Sequence, residues 1–224
     1  MSDVVAAILV AGGSSSRMAG TDKLWADIGG GPLIAYPLRT LAGLEAAGIL
    51  VVVAPVGRHE ELRRLVAGGG RAEIRCVEGG ARRQDSVAAG MAAAPEADWY
   101  LVHDAARPLV TPEVCARVLA GAREHGAAVP AAPVADTVKR VDGEGRVLET
   151  LDRASLRAVQ TPQGFAAALL RRAHGEVTRD VTDDAAQVEA LGEPVFVVTG
   201  DPRNFKVTTS GDLDLVRALL AVRD

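Results

Sequence analysis

Residues 4–10, Val-Val-Ala-Ala-Ile-Leu-Val, run without a polar interruption, and this segment constrains the fold most. A strand with apolar side chains pointing both ways must be covered on both faces. Residues 49–54, Ile-Leu-Val-Val-Val-Ala, repeat the pattern. Further strands are predicted at 73–77, 99–103, 127–130 and 194–199. Helices are predicted between them. The first spans 33–47, stopped by Gly48, and the second 60–67, closed by Gly68-Gly69-Gly70. A third, 86–94, is opened by an Asp85/Ser86 cap and closed before Pro95; a fourth, 112–124, has Thr111 as cap and Pro112 at its first position. The last covers 212–221. The alternation predicts an α/β chain with an open, mostly parallel, Rossmann-like sheet flanked by helices, and a ligand at the carboxyl ends of the strands.

One stretch breaks the rhythm. Around Asp142-Gly143-Glu144-Gly145, two β-rich segments within 136–152 signal a hairpin. Its few apolar residues cannot make a core, so it either folds back on the sheet or reaches a partner. The organisation expected is a single domain over 1–224, with 135–154 as a β-arm excursion.

Composition excludes several classes. Hydrophobic residues make up 48% of 224, enough for a sizeable core, and the formal net charge is -4. A general nucleic-acid binder wants a basic surface, so none is expected as a partner. Cys76 and Cys115 are the only cysteines and sit in apolar contexts, as buried thiols rather than a disulfide or ligand pair. The first apolar run has no basic segment ahead of it and is too short to span a membrane. A cytoplasmic protein without membrane contact is expected.

Four segments carry chemistry. Ala11-Gly12-Gly13-Ser14-Ser15-Ser16 follows the first strand, with Arg17 and Lys23 beyond it. Small side chains leave backbone N–H groups open to a polyphosphate, and the two cations flank it. The loop is neither G-x-G-x-x-G nor the G-K-[ST] loop of a P-loop ATPase. Gly79-Gly80-Ala81-Arg82-Arg83-Gln84-Asp85-Ser86 follows a strand and opens a helix. It wraps a base or ribose, or it is simply an N-capped helix. His103-Asp104-Ala105-Ala106-Arg107-Pro108 ends a strand. Asp104 there holds Mg²⁺, directly or through water, or orients a hydroxyl, and Arg107 faces the same cleft. His103 is read as a structural histidine, not a base; His59, His125 and His174 have no metal-ligand spacing. Finally, Thr137, Lys139, Arg153, Thr161, Thr182 and Lys206 offer hydroxyls and cations suited to an anionic, polyhydroxylated substrate. Asp183/Asp184 read as a helix cap.

In that order, the segments resemble the 2-C-methyl-D-erythritol 4-phosphate cytidylyltransferases of isoprenoid precursor synthesis. The marks are Ala11-Gly12-Gly13-Ser14-Ser15-Ser16-Arg17-Met18, Arg83-Gln84-Asp85-Ser86-Val87, Val102-His103-Asp104-Ala105-Ala106-Arg107-Pro108, Asp136-Thr137-Val138-Lys139, Leu151-Asp152-Arg153, Thr161-Pro162-Gln163, Val181-Thr182-Asp183-Asp184-Ala185 and Lys206-Val207-Thr208. The resemblance implies a nucleotidyltransferase sheet with a protruding dimerisation arm, and a homodimer formed through that arm. It implies CTP bound with Mg²⁺ as cofactor by Ala11, Gly12, Gly13, Ser14, Gly79, Gly80, Arg83 and Ser86. Arg17, Lys23, Lys206 and Asp104 would be the catalytic groups, with Asp104 a weak metal contact. Arg107, Thr137, Arg153, Thr161 and Thr182 would surround methylerythritol phosphate, Thr137 and Arg153 reaching the partner's site. The reaction implied is direct in-line transfer of CMP, giving 4-diphosphocytidyl-2-C-methyl-D-erythritol and pyrophosphate.

Three positions depart from many relatives: Asp22 precedes the loop lysine where proline is common, Leu24 follows it where glutamine is common, and Arg203 replaces an acidic residue before Asn204. The alternative is a ribitol- or other polyol-phosphate cytidylyltransferase. Sugar or molybdopterin nucleotidyltransferases, and a pure nucleotide-binding module, do not account for the set from Arg83 to Lys206. With the chain ending at Asp224, fusion to the next cyclodiphosphate synthase is not expected.

Overall fold

The computed structural model describes residues 3–12, 22–67 and 69–222. The strands, in chain order, are β1 (Val5–Val10), β2 (Ile49–Val53), β3 (Glu73–Val77), β4 (Trp99–Asp104), β5 (Ala127–Pro133), β6 (Lys139–Val141), β7 (Val147–Thr150), β8 (Arg157–Val159), β9 (Gln163–Ala166) and β10 (Phe196–Thr199). The helices are α1 (Ala35–Ala42), α2 (His59–Val66), α3 (Arg83–Ala92), α4 (Pro112–His125), α5 (Ala167–Glu176), α6 (Asp184–Ala190) and α7 (Ser210–Ala221). The main sheet runs β10-β5-β9-β4-β1-β2-β3, with β8 also paired to β5. Pairs β1–β2, β1–β4, β2–β3 and β5–β10 are parallel; β9 is antiparallel to both β4 and β5.

The uninterrupted strands divide their side chains by the period of two. Val5, Ala7 and Leu9 of β1 join one core with Leu38, Leu41, Leu62, Val118, Leu119 and Val216, from α1, α2, α4 and α7. Ala6 and Ile8 join the other with Val87, Met91, Leu170 and Val188, from α3, α5 and α6. The two apolar faces of one strand thus specify both layers of helix.

Several boundaries differ from expectation. The helix predicted over 33–47 ends at Ala42, with Gly43 as its C-cap. Leu44 and Ala47 stay buried in the turn that follows, which is why their spacing mimics a helix. Helix α3 starts at Arg83, three residues before the predicted start. Asp85 lies inside its first turn, where its carboxylate accepts the Arg82 backbone N–H at 3.1 Å. Strands β8 and β9 and helix α5 were not foreseen; of helix α6 only its Asp183/Asp184 cap was. Strand β9, Gln-Gly-Phe-Ala, carries one large apolar side chain, Phe165. Its Gly164 lies so close to α4 that a Cβ there would stand 2.8 Å from Val118 Cγ1. Close approach to a helix, not apolar pattern, makes this segment a central strand.

Strands β6 and β7 form a separate two-stranded sheet, and every residue in them is exposed. The arm does not fold back on the body. Asp142 Oδ1 accepts the N–H groups of Glu144 and Arg146, both at 2.9 Å, and Gly145 takes φ +82° to close the turn. Arg153 Nη1 donates to Ala135 O at 2.5 Å and ties the two ends of the excursion. Val141, Val147 and Leu148 are 51%, 59% and 63% exposed. Val141 and Val147 pair across the hairpin on one face, and Leu148 points to the other.

Candidate active site

Parallel β4, β1, β2 and β3 end on the same edge of the sheet, so the loops after β1, β3 and β4 converge. The glycine cradle forms there. A Cβ on Gly79 would sit 2.7 Å from Ser86 Oγ, and one on Gly12 would sit 3.5 Å from the same oxygen. At Gly80 a Cβ would collide with that of Asp85. Gly12, Gly79, Gly80 and Ser86 are therefore brought together. Ser86 is buried and its hydroxyl donates to Arg82 O at 3.2 Å. Ala11, also buried, donates its N–H to Val53 O and links the β1 and β2 loops. Gly13, Ser14 and Arg17 lie outside the described residues.

Asp104, the last residue of β4, is the centre of charge. Its Oδ1 accepts from Arg83 Nε at 3.0 Å and its Oδ2 from Lys206 Nζ at 2.7 Å. Burial alone would push the Asp104 carboxyl up. The charges of Arg83 and Lys206 outweigh it and hold the group well below the usual carboxylate range. Arg83 also donates through Nη1 to Asp184 Oδ2 at 2.7 Å, and His174 Nε2 lies 3.2 Å from Asp184 Oδ1. Asp184 is fully buried; here too the penalty of burial is outweighed, first by the Arg83 charge. Lys23 Nζ donates to Val207 O at 2.9 Å, beside Lys206. Three sequence-distant cations, Lys23, Arg83 and Lys206, thus share one edge of the sheet.

The remaining residues separate into two groups. Thr161 is buried beside Asp104, and its Oγ1 accepts the Asp104 backbone N–H at 3.0 Å. Arg107, half-buried, donates through Nη1 to Asn204 O at 2.8 Å. Thr137, Arg153 and Thr182 are exposed, and among the described residues no hydrogen bond or ion pair joins them to the Asp104 cluster. Asp183 caps α6 through Ala186 N–H, as expected, and Gln163 Nε2 holds its other oxygen at 2.7 Å. Asp184 was missed as a site residue. The signal was available: Asp184 stands one helical turn before Val188, so an acid occupies the apolar face of α6.

Cys115 is buried and its thiol is pushed up to about 12 by burial; Cys76 is half-buried and both are free. No group of three or more potential ligands able to hold a metal occurs among the described residues. Asp104 is a single hard oxygen donor, which suits an Mg²⁺ ion arriving on phosphates rather than a protein-built cage.

Sheet order, the crossing of β9 and the charge cluster at the end of β4 put the protein in the nucleotidyltransferase class of Rossmann-like folds. The family model for 2-C-methyl-D-erythritol 4-phosphate cytidylyltransferase matches residues 5–222, and the chain belongs to that family. It is 46% identical over 221 residues to a 2-C-methyl-D-erythritol 4-phosphate cytidylyltransferase of Nocardia farcinica, covering 96% of this chain and 94% of that one. It is 47% identical over 222 residues to a bifunctional IspD/IspF enzyme of Anaeromyxobacter, covering 96% of this chain but only 57% of that protein's length. The structure of the Thermus thermophilus cytidylyltransferase is similar with a TM-score of 0.77 and 38% identity, over 96% and 98% of the two chains. A 4-diphosphocytidyl-2C-methyl-D-erythritol synthase of Anaerococcus prevotii gives a TM-score of 0.86 at 26% identity, over 99% and 100%.

Proposed function

We propose that the protein transfers CMP from CTP to 2-C-methyl-D-erythritol 4-phosphate, releasing pyrophosphate. The observation that carries this reading is the Asp104 carboxylate held between Arg83 and Lys206 beside the glycine cradle. Family membership supports the nucleotide and the acceptor. CTP lies over Gly12, Gly79, Gly80 and Ser86, with its phosphates toward Lys23 and Lys206. An acceptor phosphate oxygen forms a bond to the α-phosphorus as the bond from that phosphorus to the bridging oxygen breaks, and pyrophosphate departs. A phosphate monoester is already mostly ionised near neutral pH, so no side-chain base is needed. Burial pushes His103 down to about 4, so its ring is neutral and is spent on structural hydrogen bonds. Positioning and neutralisation of growing negative charge are the work left to the protein.

Mg²⁺, contacting Asp104 directly or through water, would add charge neutralisation at the phosphates when bound. Arg107 and Thr182 line the acceptor side, and the buried Thr161 stands behind them with its hydroxyl bonded to His103 and to the Asp104 backbone N–H. The exposed arm reaches a second copy, and its Thr137 and Arg153 complete the partner's site in a homodimer. The test is pyrophosphate release with Mg²⁺, crossing CTP, UTP, ATP and GTP against methylerythritol 4-phosphate and ribitol 5-phosphate. Release with CTP and methylerythritol phosphate alone is expected. Release with ribitol phosphate instead moves the enzyme to polyol phosphates, and release with neither overturns the reading.

A further inference from the structure

Around the Asp104 cluster, four side chains close a ring of hydrogen bonds. Arg107 Nη1 donates to Asn204 O at 2.8 Å, and Asn204 Nδ2 donates to Thr161 O at 2.8 Å. Thr161 Oγ1 stands 3.0 Å from His103 Nδ1, and His103 Nε2 stands 3.1 Å from Arg107 O. The chemistry of the partners fixes the direction of each bond. A carbonyl oxygen only accepts, so His103 must carry its proton on Nε2. Nδ1 of the neutral ring is then an acceptor, and the Thr161 hydroxyl donates to it. That leaves the Thr161 oxygen to accept, which it does from the Asp104 backbone N–H. Every bond is satisfied in one sense only.

The ring joins three segments far apart in sequence: the end of β4 with its loop, the residues before β9, and the 204–207 segment before α7. Asp104 lies between two ring members in sequence, and Lys206 lies two residues beyond a third. Val207 N–H donates to Ala106 O at 2.8 Å and fastens the same two segments again. His103 and Asn204 are fully buried, and Thr161 nearly so. The four ring bonds are made within the protein, while Arg107 Nε and Asn204 Oδ1 are buried without a partner among the described residues.

We propose that His103 is a positioning residue: through the Thr161 hydroxyl and the Arg107 carbonyl it fixes where Asp104 and Lys206 stand relative to each other. The inference rests on the cytidylyl-transfer reading for its catalytic consequence. His103 touches no reacting atom. It acts through the geometry of the two charged groups that do, and misplacement by about 1 Å is enough to cost two orders of magnitude in rate.

The test compares Thr161→Val, which removes the hydroxyl and keeps the shape, with His103→Leu, which removes both the acceptor toward Thr161 and the donor toward Arg107. Steady-state pyrophosphate release and amide hydrogen exchange are measured on both. The expected result is a kcat lower by about 10²-fold in each, with the KM values for CTP and acceptor unmoved. Thr161→Ser, which restores the hydroxyl, recovers most of the lost turnover. The Asp104 and Val207 amides exchange faster in the two damaged variants, while those of β1 and β2 do not change. Undiminished kcat, or a loss carried wholly by the acceptor KM, overturns the proposal; the second outcome makes Thr161 a plain substrate contact. Unaltered exchange at Asp104 and Val207 also overturns it. If the unmodified protein releases no pyrophosphate with any acceptor, the reaction reading fails, and the exchange measurement still decides the ring.

Discussion

Acid should weaken this protein through His103 in a way that one substitution removes. The imidazole is fully buried and neutral, and burial moves its titration down to about 4 from the ordinary 6.5. Asp104 and Arg107, the nearest charged groups, act on it in opposite directions. In the unfolded chain the ring takes up a proton below about 6.5, but the folded protein refuses it until about 4. A folded-state value below the unfolded one means that stability is complete above the unfolded pKa and is lost as pH falls toward the folded one. Between those limits the loss is about 3 kcal/mol, a large part of the stability of a typical domain. Urea unfolding of the unmodified protein and of His103→Gln, from near neutral pH to about pH 4 at one protein concentration, measures it. The stability difference between the two proteins should shrink by about 3 kcal/mol across that range, because glutamine does not titrate. The carboxylates and the other three histidines are common to both and cancel. A difference that stays constant with pH would refute the reasoning, because it would mean that His103 titrates alike in both states.

Three further outcomes are expected. Lys206→Ala removes one of the two cations on Asp104 and should lower kcat about 10²-fold with the fold intact, read by pyrophosphate release alongside circular dichroism. Arg83→Met leaves the fully buried Asp184 carboxylate without its arginine and should cost about 3 kcal/mol in urea unfolding; a loss near zero would mean that His174 alone satisfies it. On the proposed arm-to-arm pairing, Leu148→Asp, on a side chain 63% exposed in the arm, should leave the circular dichroism spectrum unchanged while sedimentation shifts from dimer to monomer; a monomer before the substitution refutes the pairing.

The legible parts of the chain were those where one physical demand acts alone. Val5–Val10 had to be buried on both faces, so the sheet class followed from it, and Asp104 followed from standing at the end of such a strand. The arm was legible as two β segments around a glycine-rich turn with too few apolar residues for a core of their own. Strand β9 was not, because Gly164 is there to admit α4 and contributes no apolar pattern. Thr161 was recognisable as a polar residue for the site, but its double engagement by His103 and Asp104 depends on a partner 57 residues away. Asp184 was passed over because its neighbour Asp183 explained the pair as a cap, and only one of the two caps.

The crossing of β9 also sets the order in which the molecule can be completed during synthesis. β4 leaves the ribosome with one of its two neighbours, β1, already made, but its other neighbour follows only after α4, β5 and the whole arm. The hydroxyl that holds Asp104 in place comes 57 residues behind it, and Lys206 comes 102 residues behind. Pairings of such long sequence separation form late, because the loops between them must close first. The half made first, β1 to β4, is a parallel sheet with an apolar edge awaiting a strand. A nascent chain halted before residue 166 would carry the glycine cradle but expose that edge, and so would be prone to aggregate rather than to act.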